Sequence, residues 1–142
     1  MTQANESRQP VKVGLMMSNL PSGLNPLDMA QVVEDLGFDS CWSGEHFTNW
    51  SPASSAVVSM AMMAARTQRI TLGSAIILLP LRHPVPLAKD LGTLDILSGG
   101  RLIVGVGVGG ENPREFEACG IPVRERGPRA SEAIQVMKKL WS

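Results

Sequence analysis

The chain is poor in the residues that mark many specialised proteins. Its 142 residues include only two cysteines and two histidines, and 13 basic side chains balance 13 acidic ones. A net charge of zero offers no electrostatic pull on nucleic acid or on an anionic membrane surface. Cys41 and Cys119 stand in no metal or redox spacing and point to a reducing, cytoplasmic setting. His46 and His83 lack a third ligand at metal spacing, so no metal site is expected. No serine or cysteine sits in a nucleophile elbow. No apolar run approaches the roughly 18 residues of a membrane span. Residues 1–10 are polar, lack the apolar core of a signal peptide, and read as a loose tail.

What remains is a globular composition, 44% hydrophobic and 18% charged, long enough for one domain with a core. Four short apolar runs recur at residues 11–17, 38–43, 70–79 and 102–108, their starts 27, 32 and 32 residues apart. That is the length of a strand–helix–strand unit. Runs without alternation suit parallel strands covered on both faces. The segments between them carry helix punctuation. Asn25-Pro26 with Asp28 opens the first and Gly37 closes it. Ser51-Pro52 opens a second that runs to about Arg66, whose Met60, Met62 and Met63 read as core rather than as a cofactor box. A third follows Pro84 or Pro86 with Leu87, Leu91 and Leu94 on one stripe; a fourth starts near Pro128 and carries Ala130, Ile134, Met137 and Trp141. The order β-α-β-α-β-α-β-α fits either a doubly wound open sheet or part of a (β/α)₈ barrel.

The chemistry-bearing residues gather at predicted strand ends, where ligands of both folds bind. Glu45-His46 follows the second run. It could bind a ligand and move protons, or the histidine could merely cap backbone. Trp50 could close a pocket or pack beneath its loop. His83, before a proline, reads as structural. Gly105-Val-Gly-Val-Gly109-Gly110 satisfies the G-x-G-x-x-G pattern, but no helix opens at the loop and no acid ends a following strand, so the dinucleotide reading is weak. The glycines either fill a crowded barrel interior or let a flat ligand lie against backbone. Charged residues 111–129 read mostly as a solvated loop, with Glu115 and Arg126 as possible anchors.

Gly44-Glu45-His46-Phe47, Thr71-Leu-Gly-Ser-Ala75-Ile76, Leu79-Pro80-Leu-Arg-His83-Pro84, Leu94-Asp-Ile-Leu-Ser98-Gly-Gly-Arg101, Gly105-Val-Gly107-Val-Gly109, Glu115-Phe116, Gly120, Glu125-Arg126, Glu132 and Leu140-Trp141 follow one another in an order and spacing that resembles the bacterial luciferase-like family of flavin-dependent oxidoreductases. The resemblance runs from Val11 nearly to the end. It implies a TIM-type (β/α)₈ barrel that binds FMN or the deazaflavin coenzyme F420 at the carboxyl ends of its strands. In that family a non-proline cis peptide makes a bulge at the end of strand three, behind the flavin ring; the matching bond is Ala75–Ile76. The family's acid–histidine pair matches Glu45 and His46, which implies catalytic and cofactor contacts for both. Gly107 and Gly109 would leave room for the ring. Residues 45–50 look most like the deazaflavin-dependent sugar-phosphate dehydrogenase branch, where the matching histidine is the proposed proton acceptor and the residue matching Trp50 lines the substrate pocket. Residues 78–84 and 115–120 look more like monooxygenase-type members.

The expectation is therefore four of eight β/α units: a tail at 1–10 and the N-terminal half of a barrel at 11–142, acting on a small organic molecule. The exposed edges of strands one and four call for a C-terminal half or a second copy. A non-catalytic flavin-binding or dimer-forming half-barrel is the alternative function, and an open nucleotide-binding α/β domain a third.

Overall fold

The computed structural model describes residues 11–17, 26–48 and 55–142. Strands β1 (Gly14–Met16), β2 (Ser40–Ser43), β3 (Thr71–Ser74), β4 (Ile77–Leu78), β5 (Leu102–Ile103) and β6 (Val106–Gly107) alternate with helices α1 (Pro26–Asp35), α2 (Ala56–Arg66), α3 (Pro84–Ser98), α4 (Pro113–Ala118) and α5 (Arg126–Leu140). All pairings are parallel, in the orders β1-β2-β3-β5 and β4-β6. The third and fourth apolar runs are thus each one strand in two pieces, and the sheet is a four-unit arc of a β/α barrel.

Register explains the two faces. Leu15, Cys41, Leu72 and Leu102 pair in one row across the sheet and join Val33, Met60, Met63, Leu87 and Leu91 in the main core. The next row is Met16, Trp42, Gly73 and Ile103; because strand side chains alternate, it occupies the opposite face. There Met16 and Ile103 are exposed. A side chain at Gly14 or Gly73 would run into the Trp42 indole, whose Nε1 donates to Ser40 Oγ at 2.8 Å.

The amino ends of the strands are fastened by two charged side chains. The buried Glu34 carboxylate accepts the backbone N–H groups of Gln68, Arg69 and Ile70 at 2.7–3.1 Å, fixing the end of α1 to the entry of β3. Burial raises the pKa of Glu34, but these backbone bonds outweigh it and the net shift is downward. Arg101 donates to the carbonyls of Ala64, Thr67, Ile70 and Ser98, capping the last turn of α2 from the start of β5. Burial, with the nearby Glu34 charge, pushes the Cys41 thiol up to about 11.

Among the described residues helix limits follow the punctuation, with one helix more than expected. The described part of the second helix begins at Ala56 with Ser55 as N-cap, and its expected opening at Ser51-Pro52 lies outside the described residues. Of its methionines, Met60 and Met63 are core while Met62 is partly exposed. The stretch read mostly as a solvated loop contains α4, opened by the Asn112 cap and Pro113; the Asn25 expected to open α1 lies outside the described residues. His83 does cap α3, its Nδ1 accepting from Val85 N at 3.3 Å, and Gly99 ends that helix in the left-handed conformation, φ 75°.

Candidate active site

The site lies at the carboxyl edge of the sheet, where β2, β3 and the fourth strand end side by side. Ser43 pairs with Ser74, and the Ala75 N–H donates to the Ser43 carbonyl at 2.8 Å. The chain then makes a cis peptide at Ala75–Ile76 before resuming as β4. The bulge is held from the fourth strand: Ser74 Oγ donates to Gly105 O at 2.8 Å and accepts from Gly105 N at 2.9 Å, while Ile77 N donates to the same carbonyl at 2.9 Å. A Cβ at Gly105 would overlap the Ser74 carbonyl oxygen. One at Gly107 would come within 2.6 Å of Ile76 Cδ1, and one at Gly109 (φ 59°) within 2.8 Å of a Leu78 methyl. The glycines therefore make room first for the bulged neighbour strand, and the space expected for a ring beside Gly107 and Gly109 is partly taken by Ile76 and Leu78.

Glu45 and His46, adjacent in sequence, have opposite fates. The Glu45 side chain is 1% exposed. Its carboxylate forms a two-contact ion pair with Arg82, whose Nε donates at 3.0 Å and whose Nη2 donates to the other oxygen. It also accepts from Ala56 N at 3.3 Å and Leu78 N at 3.1 Å. Four donors consume both oxygens, so the carboxylate is bound to the protein and not offered to a ligand, which revises the expected direct contact. It instead joins the loop after β2, the first turn of α2 and the bulged strand. The Arg82 guanidinium also lies 5.3 Å from the Phe47 ring centroid.

His46 is 51% exposed, and its Nδ1 stands 3.2 Å from Oε1 of Glu115, a residue only 2% exposed. The same oxygen accepts from Phe47 N at 2.8 Å and Thr48 N at 3.4 Å, and Asn112 Nδ2 donates to Thr48 O at 2.8 Å. The first turn of α4 is thus the mount of the histidine loop. Among the described residues Nε2 has no partner. Trp50 lies outside the described residues. Among the described residues there is no group of three potential metal ligands, and no helix is long and apolar enough to cross a membrane.

Residues 12–142 match the family model described as luciferase-like monooxygenase. The chain belongs to that family. Similar proteins include an F420-dependent glucose-6-phosphate dehydrogenase of Kineococcus radiotolerans, 36% identical over 94% of this chain and 42% of its own length. The 4-hydroxyprotoasukamycin monooxygenase of Streptomyces nodosus is 33% identical over 92% of this chain and 37% of its own. Among solved structures, the monooxygenase RslO1 of Streptomyces bottropensis superposes with a TM-score of 0.81 at 31% identity, covering 92% of this chain and 43% of its own. An F420-dependent secondary alcohol dehydrogenase, solved with an F420–acetone adduct, gives 0.78 at 27%, covering 94% and 43%. This luciferase-like chain therefore spans about two-fifths of the length of the relatives it matches, and its parallel β/α arc is a partial TIM barrel.

Proposed function

We propose that this luciferase-like segment forms the ring-binding and proton-handling part of an oxidoreductase that uses FMN or coenzyme F420 on a small organic substrate. The observation that carries the reading is a single edge of the sheet. It bears a half-exposed histidine whose Nε2 has no partner among the described residues, one strand away from the bulge at Ala75–Ile76. A flat ring fits such an edge: Ile76 and the Gly107 backbone give it an apolar shelf, and His46 gives one polar contact. The bound flavin or deazaflavin would supply two-electron chemistry that no side chain here can. His46 takes or returns the proton that accompanies the electron pair. The Glu45–Arg82 pair holds the loop and the bulge at a fixed separation, a positioning task. F420 is carried over from the F420-dependent relatives and FMN from the resemblance to flavin-dependent members of the family, so the two cofactors are separate arms of the test.

The remaining units of the barrel are part of the same proposal. Met16 and Ile103 leave the inner face exposed. An apolar recess of about 430 Å³ beside edge strand β5, lined by Leu91, Ile96, Leu102, Val104 and Trp141 among others, suits another packed element. Further β/α units or a second copy would cover both. Sedimentation of the 142-residue chain tests the second copy, since a compact monomer excludes it. The function is tested by titrating FMN and F420 into full-length protein containing this segment. Saturable binding of one supports the reading, and binding of neither sinks it.

A further inference from the structure

We infer that Glu115 is a positioning residue that fixes the tautomer of His46, placing the hydrogen on Nδ1 and leaving a lone pair on Nε2 of the half-exposed ring. Oε1 of Glu115 already accepts two backbone N–H groups, from Phe47 at 2.8 Å and Thr48 at 3.4 Å, so it is not an oxygen that carries a proton of its own. His46 Nδ1, 3.2 Å from the same atom, makes a hydrogen bond there only as the donor. A neutral imidazole with Nδ1–H has its lone pair on Nε2. Free histidine favours the other tautomer, so a lone pair on Nε2 is something the protein must impose.

The mount is suited to that task. Glu115 is almost wholly buried in the first turn of α4, after the Asn112 cap and Pro113, so its carboxylate is held by packing. Asn112 fixes the other end of the same loop through Thr48. Contacts across 64–69 residues of sequence therefore converge on three consecutive positions, His46, Phe47 and Thr48. A loop that needed only anchoring would be served by the backbone bonds alone; the third contact orients the ring as well. The inference rests on the reading of His46 as the proton-handling group, but it concerns the protein without cofactor.

The chain has only two histidines, and His83 is an internal control with the opposite pattern. Its Nδ1 accepts from Val85 N, so its hydrogen belongs on Nε2. A long-range ¹H–¹⁵N correlation spectrum of ¹⁵N-labelled protein at alkaline pH reads both tautomers at once. The expected result is a protonated Nδ1 and bare Nε2 for His46, with the reverse for His83. Glu115→Ala shifts His46 toward the Nε2–H form and leaves His83 unchanged. Glu115→Gln keeps the wild-type pattern, because the two backbone donors hold the amide oxygen in place of Oε1. A wild-type His46 with a bare Nδ1 overturns the inference even if the alanine variant does not fold. An alanine variant that folds and keeps the wild-type pattern also overturns it. Failure to bind FMN or F420 would defeat the proposed function and leave this spectrum unaltered.

Discussion

Gly105→Ala strikes the junction on which the site depends. The added methyl overlaps the carbonyl oxygen of Ser74, which is backbone and has no rotamer by which to retreat. Relief requires the fourth strand or the bulge to move. Overpacking of this kind costs about 1–3 kcal/mol. The same movement strains the two Ser74 Oγ bonds and the Ile77 N–H bond, all 2.8–2.9 Å long and all made to Gly105. At roughly 1 kcal/mol each, partial loss of the three adds about 2 kcal/mol. The expected loss is thus about 3–5 kcal/mol, a large share of the stability of a domain this size. Gly127→Ala is the control. It lies in α5 at negative φ with nothing within 4 Å of the new Cβ, so it should leave stability unchanged or raise it by up to about 1 kcal/mol. Urea denaturation followed by circular dichroism measures both. A Gly105→Ala protein within about 0.5 kcal/mol of wild type, the scatter of an ordinary surface change, would refute the account of why this strand is glycine-rich.

Three other outcomes follow from the same contacts. Arg82→Met strands the buried Glu45 carboxylate with only its two backbone donors and should cost about 3–5 kcal/mol; adding Glu45→Gln should recover much of it, and a double-mutant cycle with no coupling would contradict the clamp. Glu34→Ala leaves three backbone N–H groups without their acceptor and should cost about 3 kcal/mol. Because the folded pKa of Glu34 is lowered, its stabilisation is present above the ordinary value of 4.5 and lost as pH falls through the folded value; the alanine variant should have a flatter acid limb in a series of melts between neutral and acid pH. Cys41 is fully buried with its thiol pushed up to about 11, whereas Cys119 is partly exposed; a disulfide reagent at neutral pH should titrate one thiol in the native protein and two in denaturant, and two rapid native thiols would contradict the packing of β2.

Periodicity was enough to read the four β/α units, because each strand and helix is specified by a local run of apolar residues and its punctuation. The position of the bulge came from the resemblance, and Ala75–Ile76 does carry the cis bond. Local sequence cannot tell which way a polar side chain turns. Glu45 and His46 looked like one functional pair, yet Arg82, 37 residues on, claims the first, and Glu115, 69 residues on, orients the second. Helix α4 was legible in principle from Asn112-Pro113, but the surrounding charges suggested a loop. The partners of Gly73, Gly105 and Gly107 are Trp42, Ser74 and Ile76 on neighbouring strands, and such pairings exist only once register is set.

The most direct test of the central claim is where a cofactor touches the protein. FMN and F420 would each be titrated into full-length protein containing this segment, with the Ile76 methyl and His46 imidazole followed by NMR and Ile134 on α5 as a distant reference. One of the two cofactors is expected to shift Ile76 and His46 together along one saturable isotherm while Ile134 stays still. Saturable binding of either cofactor that leaves Ile76 and His46 unmoved would contradict it.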